Sequence, residues 1–176
     1  MNICLFCASS NNIAQRYKDM AADFGRKLAQ RGDKLFYGAG NEGLMYAAAQ
    51  ASLDAGGYVV GVIPQFLSDA GYLHEGIQKI VATEDMQQRK KYLMENSDAI
   101  MVLPGGPGTM DEFFEAVVLK QLDKLHVPII LVNAFGFYDE LLRMMDHMNK
   151  EGFMRFGSQE LYRVAHTIDQ ALEMLS

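Results

Sequence analysis

Short apolar runs rich in β-branched residues alternate with segments of helical period along the whole chain, and that alternation restricts it to a few architectures. Runs near residues 2 to 8, 34 to 37, 58 to 63, 77 to 81, 98 to 103, 128 to 133 and 161 to 165 have the length and composition of strands. Between the first two, Ile13, Tyr17, Met20, Ala21, Phe24 and Leu28 mark one amphipathic helix. Further helices are predicted over 43 to 55, 84 to 96, 109 to 124, 138 to 150 and 167 to 175. Strand, helix and strand in succession close as crossovers between parallel strands. The expected fold is α/β: one Rossmann-like domain over residues 1 to 176, with a parallel sheet of about seven strands and helices on both faces. Ligands then collect at the carboxyl ends of the strands.

One such end stands out. The run from Leu103 through Pro104, Gly105, Gly106, Pro107, Gly108, Thr109, Met110 and Asp111 to Glu112 joins an apolar strand to an amphipathic helix through three glycines. Glycines let backbone amides approach a ligand closely, and the helix start adds unsatisfied N–H groups and a positive dipole end, so a phosphate fits there. A second reading stands beside this one. Thr109 and Glu112 have the spacing of a capping box, and Asp111, Glu112 and Glu115 would complement the helix dipole. Three carboxylates also repel a phosphate, so an anion bound here needs a cation nearby.

Arg89 and Lys90 supply candidates. At helical spacing they share a face with Met86 and Leu93, on the helix preceding the strand that ends in the glycine loop. The alternative is a solvated pair whose stems merely snorkel along the surface. Upstream, Gly38-Ala39-Gly40-Asn41-Glu42-Gly43 matches the dinucleotide pattern G-x-G-x-x-G. It follows the second strand instead of the first, and the next strand ends Val62-Ile63-Pro64-Gln65 without the acid that would hold a ribose. Gly38 and Gly40 therefore read as a second wall of a mononucleotide site. Ser9 and Ser10, after the first strand, are either phosphate or ribose ligands or ordinary loop caps.

A net charge of −6 argues against a nucleic-acid polymer as partner, because such binding neutralises many phosphates with a basic surface. The first residues lack a basic start and a long apolar region, no stretch is long enough to span a membrane, and a cytoplasmic protein is expected. Cys4 and Cys7 are three apart in a strand and so point to opposite faces, which favours core thiols over a metal or redox pair. The four histidines show no i, i+4 pair, and no metal or other cofactor is expected.

Together these segments resemble the LOG (Lonely Guy) family, cytokinin riboside 5′-monophosphate phosphoribohydrolases long mislabelled as lysine decarboxylases. The family's PGGxGTxxE is intact as Pro104 to Glu112, and its arginine-lysine motif stands as Asp85-Met86-Gln87-Gln88-Arg89-Lys90. Similarity extends to Phe6 through Ser10, Tyr37 through Gly40, Gly43-Leu44-Met45, Gly61 through Pro64 and Gly136-Phe137-Tyr138. Departures occur at Ala39, Tyr46, Gln87 and Pro107, and they bear on the choice of base more than on the reaction.

The resemblance implies hydrolysis of the N-glycosidic bond of a purine nucleoside 5′-monophosphate, with Arg89 and Glu112 catalytic. Gly105, Gly106, Gly108 and Thr109 would hold the phosphate, while Glu112 would contact the ribose, orient water and stabilise a cationic sugar. Arg89 would position the nucleotide and keep Glu112 ionised. Met86, Lys90, Asp111 and Glu115 complete the expected substrate-binding set with Ser9, Ser10, Gly38 and Gly40. A non-catalytic nucleotide-binding protein, like the molybdenum-cofactor carriers, is the alternative. A pyridoxal-phosphate decarboxylase is the weakest reading, since no pyridinium partner is identifiable. The resemblance also implies a homodimer or higher oligomer with active sites near the interface, and the segment holding Phe113, Phe114, Val117, Val118 and Leu119 is apolar on more than one face.

Overall fold

The computed structural model describes residues 1 to 154 and 157 to 175. Its strands are β1 (Asn2–Phe6), β2 (Lys34–Tyr37), β3 (Tyr58–Pro64), β4 (Lys79–Thr83), β5 (Ala99–Val102), β6 (Ile129–Val132) and β7 (Arg163–Ala165). The helices are α1 (Gln15–Gln30), α2 (Gly43–Asp54), α3 (Gln65–Asp69), α4 (Met86–Glu95), α5 (Pro107–Gln121), α6 (Asp139–Lys150), α7 (Ser158–Leu161) and α8 (Ile168–Glu173), with a 3₁₀ turn at Ala134–Gly136. The strands form one parallel sheet in the order β4-β3-β2-β1-β5-β6-β7. The chain steps outward from β1 to β4, crosses back through α4 to β5, and then steps outward the other way. The order therefore reverses between β1 and β5, where Cys4 pairs with both Phe36 and Ile100. A crevice opens at such a reversal, on the carboxyl edge.

Both faces of the central sheet are covered, which explains the continuous apolar runs of β5 and β6, whereas the edge strand β4 stays largely exposed. Ile3 and Leu5 enter a layer with Phe24 and Leu28 of α1 and Leu44 of α2, while Cys4 and Phe6 enter one with Leu93 of α4 and Phe113 and Val117 of α5. Cys7 lies in the first layer and Cys4 in the second; both are free and buried, as their spacing predicted.

Many element ends differ from the sequence expectation by one to three residues, α3 and α7 fall where no helix was expected, and four differences bear on the fold or the site. The strand expected at 77 to 81 begins at Lys79, because Ile77 is buried as a loop residue ahead of it. The one expected at 161 to 165 begins at Arg163, after the short turn α7. The first helix starts at Gln15, leaving Ile13 in the preceding loop, and α5 starts at Pro107, two residues earlier than expected. The last shift changes the reading of the site.

Candidate active site

The N-cap of α5 is Gly106, with Pro107 in the first turn, where its fixed φ suits the helix and its missing N–H costs no bond. Thr109 is thus inside the helix and is not its cap, and no side chain caps this end. The capping-box reading of Thr109 and Glu112 is overturned, and neither acid lies in the first turn. The first helical bond runs from Met110 N–H to the Gly106 carbonyl, so the amides of Gly108 and Thr109 have no acceptor within the helix. A Cβ on Gly105 would lie 2.0 Å from Thr109 Oγ1, so only glycine lets that hydroxyl sit over the loop. The loop is held from both sides. Ala8 N–H donates to the Pro104 carbonyl at 3.1 Å, and Tyr138 Oη donates to the Leu103 carbonyl at 2.8 Å.

The arginine-lysine motif sits on α4, whose start is fixed by a true capping arrangement. Asp85 accepts from Gln88 N–H at 2.8 Å, and the Gln88 side chain reaches back to accept from Glu84 N–H. This aims Arg89 and Lys90 inward, and both are buried, so the solvated-pair reading fails. Arg89 Nε donates to the Val62 carbonyl and one terminal nitrogen to the Gly38 carbonyl, each at 3.1 Å, while the other nitrogen rests 3.5 Å from Met86 Sδ. A Cβ on Gly38 would fall 1.6 Å from that guanidinium. No carboxylate pairs with Arg89 among the described residues, which leaves its charge available to a ligand.

Lys90 is spent differently. Its ammonium bonds to Asp111 at 2.8 Å and to Glu115, clamping α4 to α5. Burial pulls the Lys90 pKa down, but the two carboxylates outweigh it and leave it raised. Lys90, Asp111 and Glu115 therefore cross-link α4 to α5, and Gln87 on α4 is exposed.

Glu112 lies one residue beyond Asp111 on the inner face of α5, is 5% exposed, and accepts no hydrogen bond among the described residues. Burial pushes its carboxyl up to about 7, against the opposing pull of the Arg89 guanidinium; Asp111 adds to the rise and Lys90 subtracts from it. Arg89 was expected to keep Glu112 ionised; its pull toward the carboxylate is present, but desolvation by burial is larger. A carboxyl poised near neutrality beside an unpaired guanidinium can exchange a proton with water and balance a positive charge.

Two cavities flank the loop that follows β1. A largely apolar one of about 340 Å³ is lined by Arg89, Ser9, Gly38 and Gly40 from the expected set, and by Asn41, Glu42, Met45, Ile63, Leu67 and Tyr72. An apolar one of about 270 Å³ adjoins Gly105 and Gly106 and includes Ser10, Tyr17 and Phe137. Ser10 Oγ accepts from Asn12 N–H at 3.2 Å, a local cap of the kind foreseen for it. Sequence reasoning missed Leu67 and Tyr72, which sit in aperiodic stretches without a motif. Asn41 and Glu42 lay inside a glycine pattern read only for its glycines, and Tyr138 was noted only as part of a similarity. Among the described residues no group of three His, Cys, Asp or Glu converges as a metal site.

Comparison with known proteins shows the family. Residues 45 to 175 match the profile of the family described as "Possible lysine decarboxylase". The chain is 37% identical over 173 residues to cytokinin riboside 5′-monophosphate phosphoribohydrolase LOG3 of Arabidopsis thaliana, covering 98% of this chain and 80% of the relative. LOG4 of the same plant matches to the same identity and coverage. Among solved structures, the Moco carrier protein of Chlamydomonas reinhardtii superposes with a TM-score of 0.74 over 99% of this chain and 94% of its own, at 21% identity, a likeness of fold alone. The family profile spans most of the sheet and both motif-bearing helices, and the relatives align along nearly the whole length; the chain belongs to the LOG family.

Proposed function

We propose that this protein hydrolyses the N-glycosidic bond of a purine nucleoside 5′-monophosphate, giving the free base and ribose 5-phosphate. The observation that carries this reading is Glu112: a buried carboxyl with no protein donor, titrating near neutrality within the field of Arg89. Simple retention of a phosphate does not require an acid there. The activity named for the plant relatives supports the same reaction.

Cleavage of the bond between C1′ and the base leaves positive charge on the sugar, while the departing base takes the bonding electrons. The Glu112 carboxylate balances that charge and accepts a proton from the water whose oxygen joins C1′; it then gives that proton up to solvent, from which the departing base takes one, so the acid ends as it began. Arg89, fixed by the Gly38 and Val62 carbonyls, orients the nucleotide without having to reorganise during the reaction. The 5′-phosphate rests on Gly105, Gly106 and the free amides of Gly108 and Thr109 at the start of α5. Ser9, Gly38 and Gly40 line the ribose and base side. Lys90, with Asp111 and Glu115, holds the two catalytic helices in register.

The working unit in this reading is a cytoplasmic homodimer. Phe114 and Val118 on α5, with Leu122 just past its end, form an exposed apolar stripe that a second copy would cover. No helix among the described residues is long and apolar enough to cross a membrane, and both cysteines are free thiols.

Incubation with a panel of nucleosides and their 5′-monophosphates, followed by chromatography for free base, tests the proposal. Base release from monophosphates alone is expected. Equal cleavage of the nucleosides would remove the phosphate cradle from the scheme, and tight binding with no release would make the protein a carrier.

A further inference from the structure

The loop after β2 and the loop after α3 are bound together as one wall of the cavity that Arg89 lines. Asn41 N–H donates to the Tyr72 carbonyl at 3.1 Å, and the Asn41 side chain donates to the Gly71 carbonyl at 2.8 Å. Gly40 bridges to Leu73, and His74 N–H donates to the Ala39 carbonyl at 2.8 Å. The second loop is also tied to its own helix, through Tyr72 N–H and the Leu67 carbonyl. Tyr72 is thereby presented on the cavity lining with its backbone fixed on both sides, while its side chain stays half exposed.

Behind this wall is a latch. His74 is buried, its Nδ1 lies 3.1 Å from Tyr37 Oη, and its ring packs against Tyr46 with centroids 5.0 Å apart. Tyr37 is the last residue of β2 and is fully buried, so the latch is anchored in the sheet itself. Met45, Ile63 and Leu67 line the same cavity as Tyr72. A largely apolar cavity with one aromatic side chain on its lining suits a planar base, since every base has a π-face to stack.

We propose that Tyr72 is a specificity-determining residue that stacks on the purine, and that His74 is its positioning residue, acting through Tyr37 and Tyr46. The proposal rests on the hydrolase reading for the identity of the ligand. Its test is calorimetric titration of AMP into the Glu112→Gln protein and into the same protein also carrying Tyr72→Ala, Tyr72→Phe or Tyr37→Phe. Loss of the ring should weaken AMP about tenfold, the size of one stacking contact, and Tyr72→Phe should recover affinity to within about threefold. Tyr37→Phe keeps the buried shape, removes the latch bond, and should weaken AMP by about threefold or more. Equal AMP affinity in Tyr72→Ala would overturn the stacking role, and equal affinity in Tyr37→Phe would overturn the role of His74. A parent protein that binds AMP but releases no adenine would defeat the hydrolase reading and leave the base wall standing. One that binds no AMP would overturn both.

Discussion

The guanidinium of Arg89 donates to the carbonyl oxygen of Gly38 at 3.1 Å, across 51 residues of chain. That bond, with its partner at Val62, converts a helix-borne cation into a fixed feature of the sheet edge. An arginine held in this way has little freedom left to lose when substrate arrives.

The first prediction concerns that geometry. Arg89→Ala should lower turnover by about 10²- to 10³-fold. Gly38→Ala should lower kcat/KM by about tenfold or more without touching any charged group, because the added methyl occupies the guanidinium's place. Steady-state rates and thermal midpoints of both variants are the measurement. Full activity in Gly38→Ala would mean that turnover does not depend on the observed arginine position.

The pH profile supplies the second. In the proposed reaction Glu112 acts as the carboxylate, so kcat/KM should rise with pH through about 7 and then level off. Lys90 stabilises the carboxylate, and Lys90→Met should move the midpoint upward; Asp111 opposes ionisation, and Asp111→Asn should move it downward. Glu112→Gln should be slower by about 10²- to 10³-fold with a flat profile. A midpoint unmoved by both neighbouring substitutions would assign the titration to another group.

Stability gives an independent reading of the same residue. Burial raises the Glu112 pKa from 4.5 to about 7, so between these values the folded chain keeps a proton that the unfolded chain has lost. Stabilisation by the neutral form is full below about 4.5 and disappears as pH climbs through about 7, a change of up to about 3 kcal/mol. Glu112→Gln cannot ionise. It should match the parent near pH 4.5 and exceed it at pH 8 in urea unfolding, and the reverse order would contradict the burial seen here.

For the assembly, Val118→Asp places a charge at the centre of the exposed stripe and should shift sedimentation at micromolar protein from dimer to monomer. Arg89 and Glu112 act on each other within one chain. Mixing Arg89→Ala with Glu112→Gln protein should therefore restore no activity, and a recovered rate would show the two residues meeting across subunits.

The strand-helix alternation and the two motifs were legible because period and local chemistry carry them. Where reading failed, the missing information was long-range or was assigned to the wrong residue. Nothing beside Arg89 and Lys90 in the sequence indicates that Val62 and Gly38 will bury one and Asp111 and Glu115 the other. The start of α5 was misplaced because Thr109 looked like a cap, although Pro107 already carried the better signal. Tyr72 and His74 had no pattern to betray them, since a loop tied by backbone bonds to another loop leaves no period in either.

Cys4 and Cys7 give the molecule a built-in clock. Burial, then the negative charge of Glu112, raises both thiols far above their usual range, so neither forms the reactive thiolate while β1 stays in place. Cys4 lies in the middle of the central strand, whereas Cys7 lies just past its end, where the loop between the two cavities begins. Alkylation of Cys4 therefore times the opening of the whole sheet, and alkylation of Cys7 times the opening of the catalytic edge. The ratio of the two rates reports how independently that edge breathes.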